Sequence, residues 1–94
     1  MVFCYLLPMA KNTLPTKICS QVARSLRDER LRQNVSLNIL AARAGVSRQM
    51  LSYVEQELRK PTLDTLLRIC EALEIRVEDL IANARKMAVE PAKK

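Results

Sequence analysis

The stretch SLNILAARAGVSRQMLSYVEQE, residues 36–57, decides the fold of this chain. Ser36 and Ser47 each precede a short run with helical apolar periodicity, and a serine hydroxyl in that position can accept a hydrogen bond from a backbone N–H of the first turn. Gly45, the only glycine in the sequence, lies between the two runs. Because glycine lacks a Cβ atom, it adopts the positive φ that a sharp reversal of the chain requires. These residues predict two short helices that cross at a tight turn.

The predicted pair of helices has the features of a helix-turn-helix. The first helix is expected at 37–44 and the second at about 48–56. Ala41 is small where two helices approach each other closely, and Val46, Leu51 and Val54 supply the apolar side chains that fill the crossing. In a helix-turn-helix, the second helix enters the major groove of DNA.

Three more helices are predicted around this pair. They are a first helix between Pro15 and Asn34, a fourth opened by Pro61 and Thr62, and a fifth from near Val77 to about residues 85–87. Neither alternating apolar and polar residues nor hairpin turns occur in residues 16–88. The expected fold class is therefore all-α, a compact domain of five helices.

Composition narrows the classes of function. The 94 residues carry 16 Lys and Arg against 10 Asp and Glu, a formal net charge of +6, and they include no His and one Gly. Without His there is no Ser-His-Asp or Cys-His catalysis and no His-containing zinc site. A single Gly excludes the glycine-rich loops that hold phosphates. We therefore expect a non-enzymatic binding module of one domain, with no metal and no cofactor.

The two ends of the chain differ from the helical body predicted at residues 16–88. An apolar arm, residues 1–15, precedes the body, and a basic tail, residues 89–94, follows it. Two interpretations of the arm compete. Either the chain begins functionally at Met9, or residues 2–7 form a strand or hook that covers a partner subunit, because a free apolar arm is unfavourable in water.

The number and spacing of the cysteines indicate the cellular compartment. Cys4, Cys19 and Cys70 lack a metal-binding spacing, and their odd number is a poor disulfide framework, so a reducing, cytoplasmic setting is expected. Cys70 lies in an apolar stripe and is expected to be buried as a small hydrophobic residue. No apolar run is long enough to cross a membrane.

Residues 20–81 resemble the lambda-repressor-like, or Xre, helix-turn-helix domain of bacterial and phage regulators. The pieces that carry the resemblance are SLRDERL, SLNILAARAGVSRQMLSYVE and KPTLDTLLRICEALEIRVEDLI. The charge pattern agrees with it, since positive residues dominate 11–60 whereas 61–80 carry two positive and five negative residues. A basic surface is typical of proteins that bind a polyanion.

The resemblance implies which residues contact double-stranded DNA. Arginine suits the O6 and N7 acceptors of guanine, and glutamine suits the N6 and N7 edge of adenine. The residues expected to read bases are Arg48, Gln49, Ser52 and Tyr53. Helix N-termini attract phosphates through their backbone N–H groups, and positive side chains add to this attraction. The residues expected to contact phosphates are Ser36, Leu37, Arg43, Ser47, Gln56, Arg59 and Lys60. For the charged members of this set, an ordinary solvated surface charge is the alternative.

The resemblance also implies a structural ion pair between Arg30 and Glu55. The pair would orient the third helix, and leaving either charge buried without its partner would be costly.

Four positions depart from the family pattern. Relatives usually have glycine where Glu57 and Glu74 follow the third and fourth helices, so these turns must adopt another conformation or accept strain. Ile39 replaces a usual acidic residue, and Arg76 replaces a frequent serine N-cap, which makes the start of the fifth helix less regular.

Two functions are compatible with the sequence. The first is a sequence-specific transcriptional regulator, a repressor, that binds DNA as a homodimer. The second is an antitoxin-like or accessory protein-interaction module in which DNA binding is secondary; the apolar arm and Ile39 support it. Candidate dimer contacts are the arm or Leu67, Leu80, Ile81, Ala84 and Met87, of which Leu80 is favoured as core.

Overall fold

The computed structural model describes residues 13–89, and in this part of the chain all regular structure is α-helical. The helices are α1 (Leu14–Arg32), α2 (Leu37–Ala44), α3 (Arg48–Glu55), α4 (Leu63–Leu73) and α5 (Val77–Val89). The predicted all-α class with five helices is confirmed. The interpretations of the N-terminal arm and of Cys4 concern residues outside the described range, as does most of the basic tail.

Three helix ends differ from those predicted. Helix α1 begins at Leu14, so Pro15 lies inside its first turn, where a backbone N–H has no partner within the helix and its loss costs nothing. Helix α3 ends at Glu55, one residue earlier than expected. Helix α5 continues to Val89 because its apolar face extends to Ala88, which is buried.

The core lies where α1 crosses the other helices. Helix α1 packs mainly along α5, and α2 packs against α4. The largest fully buried side chains come from α1 to α4 and are Leu26, Leu40, Leu51, Val54, Ile69 and Leu73. Cys70 is buried among them, as predicted, and burial raises the pKa of its thiol to about 11. Within residues 13–89, no helix is both long enough and apolar enough to span a membrane.

Each of the first four helices is followed, one or two positions after its last residue, by a residue with left-handed backbone. These residues are Asn34 (φ 60°), Gly45 (φ 74°), Glu57 (φ 63°) and Glu74 (φ 60°). In every case the next residue donates its backbone N–H to a carbonyl five positions earlier, as in Val35 to Arg30 (3.1 Å) and Ile75 to Cys70 (3.0 Å). This is the Schellman arrangement, which satisfies carbonyls that the helix leaves free. The turns at Glu57 and Glu74 thus keep the conformation that favours glycine and accept its strain.

Candidate nucleic-acid interface

Helices α2 and α3 form the predicted helix-turn-helix, and both begin with a serine cap. The Ser36 hydroxyl accepts a hydrogen bond from the backbone N–H of Ile39 at 3.1 Å, and Ser47 accepts one from Met50 at 3.0 Å. Gly45 ends α2, and its N–H donates to the Ala41 carbonyl at 2.9 Å. Neither helix has an acidic residue in its first turn, so nothing there offsets the positive end of either helix dipole.

Helix α3 has two different faces. Leu51 and Val54 are fully buried, and Met50 packs against the core. On the opposite face Arg48, Gln49 and Gln56 are exposed, and Ser52 and Tyr53 are half-buried. The structure therefore places the four residues expected to read bases, together with Gln56, on the solvent side of one helix.

Two hydrogen bonds link the polar side chains of this face. The amide of Gln49 donates through Nε2 to the Tyr53 hydroxyl at 2.8 Å, and the amide of Gln56 donates to the Ser52 hydroxyl at 2.6 Å. Each pair is separated by four residues, the spacing at which helix neighbours meet. The outer face of α3 thus carries two amide–hydroxyl pairs.

The residues expected to bind phosphates fall into three groups. Ser36 and Ser47 lie exposed at the N-termini of α2 and α3, whereas the Leu37 side chain packs against the core, so residue 37 can offer a phosphate only its backbone. Arg59 and Lys60 follow α3. Arg43 stands apart from both groups, in a groove between α2 and α4.

Lys17 of α1 adds to the positive charge after α3. It lines a cavity of about 250 Å³ together with Arg59, Lys60 and the acidic Glu57. Sequence reasoning missed Lys17, because it lies more than 40 positions from Arg59 and only the packing of α1 brings the two together. We call Lys17, Arg59 and Lys60 the basic rim.

Arg43 has a different environment from the basic rim. Its groove, about 300 Å³ in volume, is shared with Arg68 and Glu71 of α4. Arg68 is in turn paired with Asp64, with Nε 2.8 Å from the Asp64 carboxylate. Arg43 therefore faces a surface of mixed charge.

The Arg30–Glu55 pair ties α1 to the end of α3. Arg30 Nε lies 2.7 Å from Glu55 Oε2, and Nη2 lies 2.9 Å from Oε1. The remaining Nη1 donates to the Val35 carbonyl at 2.9 Å. Both side chains are about nine-tenths buried, so the guanidinium and the carboxylate each replace lost water contacts with this bidentate pair.

Glu57 makes a second connection from the end of α3 to α1. Its carboxylate accepts a hydrogen bond from the Ser20 hydroxyl at 2.5 Å and faces Arg24 Nε at 3.4 Å. The side chain that replaces the usual glycine is therefore used to hold the turn against α1.

Arg76, where relatives often have serine, pairs with the acidic residues that open α5. Its guanidinium donates to Glu78 at 2.6 Å and lies 3.7 Å from Asp79. The hydrogen bond from Arg76 lowers the pKa of the Glu78 carboxyl. Two acidic residues in the first turn also suit the helix dipole.

Comparisons with known proteins agree with this geometry. A profile described as helix-turn-helix matches residues 26–80, which is more than half of the chain. Uncharacterized HTH-type transcriptional regulators of Mycobacterium tuberculosis strains CDC 1551 and H37Rv are each 44% identical over 59 residues. The match covers 63% of this chain and 42% of each relative, so the chain spans less than half the length of the curated relatives it matches. No solved structure gives a significant match. On the helix-turn-helix geometry of α2 and α3 and on this profile match, the chain belongs to the lambda-repressor-like, or Xre, helix-turn-helix family.

Proposed function

We propose that this chain is a sequence-specific transcriptional repressor that binds double-stranded DNA as a homodimer, with α3 in the major groove. The observation that carries the proposal is the outer face of α3, whose five polar side chains lie on the solvent side while its inner face is fixed in the core. A major groove about 12 Å wide admits such a helix, and donors and acceptors at its surface can distinguish base pairs.

The charges around α3 support contacts to the DNA backbone. The N-termini of α2 and α3 offer free N–H groups beside Ser36 and Ser47, and helix N-termini bind phosphate oxygens. The basic rim supplies three more positive charges on the side where α3 ends. Such contacts set the position of a protein on the duplex without reading its sequence.

Dimerisation is proposed because one recognition helix reads only a few base pairs, and two half-sites about 34–36 Å apart multiply both affinity and specificity. Of the candidate contacts, Leu80 and Ala84 are buried in the monomer and belong to the core. Leu67, Ile81 and Met87 are 44%, 38% and 56% exposed. These three residues of α4 and α5 are the proposed dimer contacts.

Repression is the simplest regulatory outcome of such binding. A protein that occupies a site overlapping a promoter excludes polymerase by its presence alone, and this needs nothing beyond DNA binding. A reporter placed behind the selected operator should therefore lose expression when the protein is present. A gain of expression would instead identify an activator.

The test of DNA binding is selection from a random duplex pool, followed by binding measurements on the enriched operator. We expect a two-fold symmetric operator. Arg48→Ala and Gln49→Ala should each weaken binding to it by about 1–3 kcal/mol and relax preference at one position per half-site. Lys17→Ala should weaken binding to all duplexes alike. Unchanged operator affinity in both α3 variants would show that α3 does not read bases.

Salt dependence separates the proposal from the alternative of a protein-interaction module. Each phosphate neutralised by the protein should make the slope of log affinity against log salt more negative by about 0.9. A steep slope that becomes shallower in Lys17→Ala is expected. A flat response, together with no enriched operator, would favour a protein partner, for which exposed Ile39 on α2 is then the first surface to test.

A further inference from the structure

We infer that Tyr53 is a positioning residue that makes Gln49 specific for adenine, rather than a residue that itself reads a base. This inference rests on the proposed function, since it requires α3 to lie in the major groove. Its basis is the hydrogen bond of 2.8 Å from Gln49 Nε2 to the Tyr53 hydroxyl, on the outer face of α3.

The direction of this hydrogen bond decides what Gln49 can offer to DNA. A primary amide has two N–H donors and one carbonyl acceptor. When one N–H is donated to Tyr53, the amide has one N–H and its oxygen free. One donor beside one acceptor matches the N7 acceptor and N6 donor of adenine. The opposite orientation, with the oxygen towards Tyr53, would present two donors, which match guanine.

Tyr53 is suited to hold the amide in place. Its side chain is half-buried and has only two rotatable torsions, whereas Gln49 is exposed and has three. Ordering a free glutamine side chain costs free energy at the moment of binding. Because the hydrogen bond orders Gln49 before DNA arrives, part of that cost is already met in the free protein.

The second amide–hydroxyl pair provides a matched comparison. Gln56 donates to Ser52 with the same spacing and the same donor, at 2.6 Å. Ser52→Ala removes the hydroxyl of that pair as Tyr53→Phe removes the hydroxyl of the first. Whatever Ser52→Ala does to overall affinity, it leaves the contact between Gln49 and Tyr53 intact.

The experiment uses the full chain and the operator obtained by selection. We define the position read by Gln49 as the base pair of the operator at which the Gln49→Ala variant no longer distinguishes between bases. Four duplexes that differ only there are then bound to the wild type, to Gln49→Ala, Tyr53→Phe and Ser52→Ala, and to the two double variants that combine Tyr53→Phe with either of the others. Thermal unfolding of each variant verifies that it is folded.

We expect the wild type to prefer adenine at this position by roughly 5- to 150-fold. Tyr53→Phe should reduce that preference by roughly 2- to 10-fold, the range of one net hydrogen bond, without changing the salt slope. In the Gln49→Ala background the Tyr53→Phe substitution should have no effect on the preference. Ser52→Ala removes a residue that is also expected to read bases, so it should lower overall affinity, whereas the effect of Tyr53→Phe on the adenine preference should be the same in its background as in the wild type.

Three results would overturn the inference while leaving DNA binding by α3 in place. They are a wild-type preference for guanine at this position, an unchanged preference in Tyr53→Phe, and an effect of Tyr53→Phe that persists in Gln49→Ala. The third would mean that the tyrosine contacts DNA directly. Failure of the proposed function looks different, because the wild type would then select no duplex at all, and both ideas would fall together.

Discussion

Glu57 and Glu74 share a left-handed backbone but have different surroundings. Residues with a Cβ atom pay about 1–2 kcal/mol for this conformation, which glycine adopts freely. Glu57 recovers some of that cost through its contacts with Ser20 and Arg24. Glu74 is exposed and lies beside the acidic residues that open α5, so its side chain offers no comparable compensation.

Glu74→Gly is therefore expected to stabilise the protein. Relief of the left-handed strain outweighs the greater freedom of glycine in the unfolded chain, which costs about 0.4–1 kcal/mol, for a net gain of about 0.5–1 kcal/mol. Glu57→Gly is the matched control, and its gain should be smaller or absent because two side-chain contacts are lost. Urea unfolding of both variants measures the difference. Equal gains would mean that the contacts of Glu57 do not contribute to stability.

At the scale of the elements, the turn between α2 and α3 depends on the backbone conformation of its glycine. Gly45 has a φ of 74°, and a Cβ atom built there lies 3.2 Å from Arg68 Nη1 of α4. The contact is with the end of a flexible side chain, which can move away. The backbone conformation therefore sets the cost of substitution, and it is highest for a β-branched residue.

Gly45→Val is expected to lower the melting temperature and to weaken operator binding, because it strains the turn that sets α3 relative to α2. Gly45→Asn should be milder, since asparagine tolerates left-handed backbone. Thermal unfolding compares the two variants with the wild type. If valine and asparagine were equally tolerated, positive φ would not be the reason for glycine at this turn.

The bounds of these elements show which features the sequence can predict. Ser36, Gly45 and Ser47 are local signals whose effect depends on near neighbours, and the limits of α2 follow from them. The left-handed backbone at Glu57 and Glu74 could not be predicted from the sequence, because a Schellman arrangement can hold a residue whose own conformational preference opposes it.

For the candidate interface, the face of α3 follows from helical periodicity, and the spacing of Gln49 and Tyr53 already makes their contact feasible. The basic rim depends on how α1 packs, which no local pattern records.

At the scale of the whole molecule, the reactivity of the two described cysteines reports on unfolding, because one lies on the surface and the other in the core. Cys19 is exposed on α1, whereas Cys70 is buried in the core and the pKa of its thiol is raised to about 11 by burial. Thiolates react with alkylating reagents and thiols do not. Modification of Cys70 therefore requires the core to open.

At pH 8, Cys19 should be alkylated rapidly, whereas Cys70 should be alkylated only as fast as the core unfolds. Mass spectrometry of the digested protein measures both rates.

The pKa of Cys70 in the folded protein lies above the ordinary value of 9.0, so the thiol of the unfolded chain loses its proton first as pH rises. The contribution of Cys70 to stability should therefore be constant below pH 9 and fall between pH 9 and about 11. Urea unfolding of the wild type and Cys70→Ala across this range should show a weaker alkaline dependence in the variant. Rapid labelling of native Cys70 would contradict this account.

The polar side chains on the outer face of α3 make their side-chain hydrogen bonds with one another, while α3 is fastened to the rest of the domain through Leu51, Val54 and Glu55 on its other side. Substitutions on the outer face therefore leave the buried contacts of Leu51, Val54 and Glu55 unchanged. If α3 reads bases as proposed, substitutions on its outer face should change the preferred operator in small steps, each with little effect on folding. On the proposed function, related domains can therefore differ in the operators they bind while they keep the same interior.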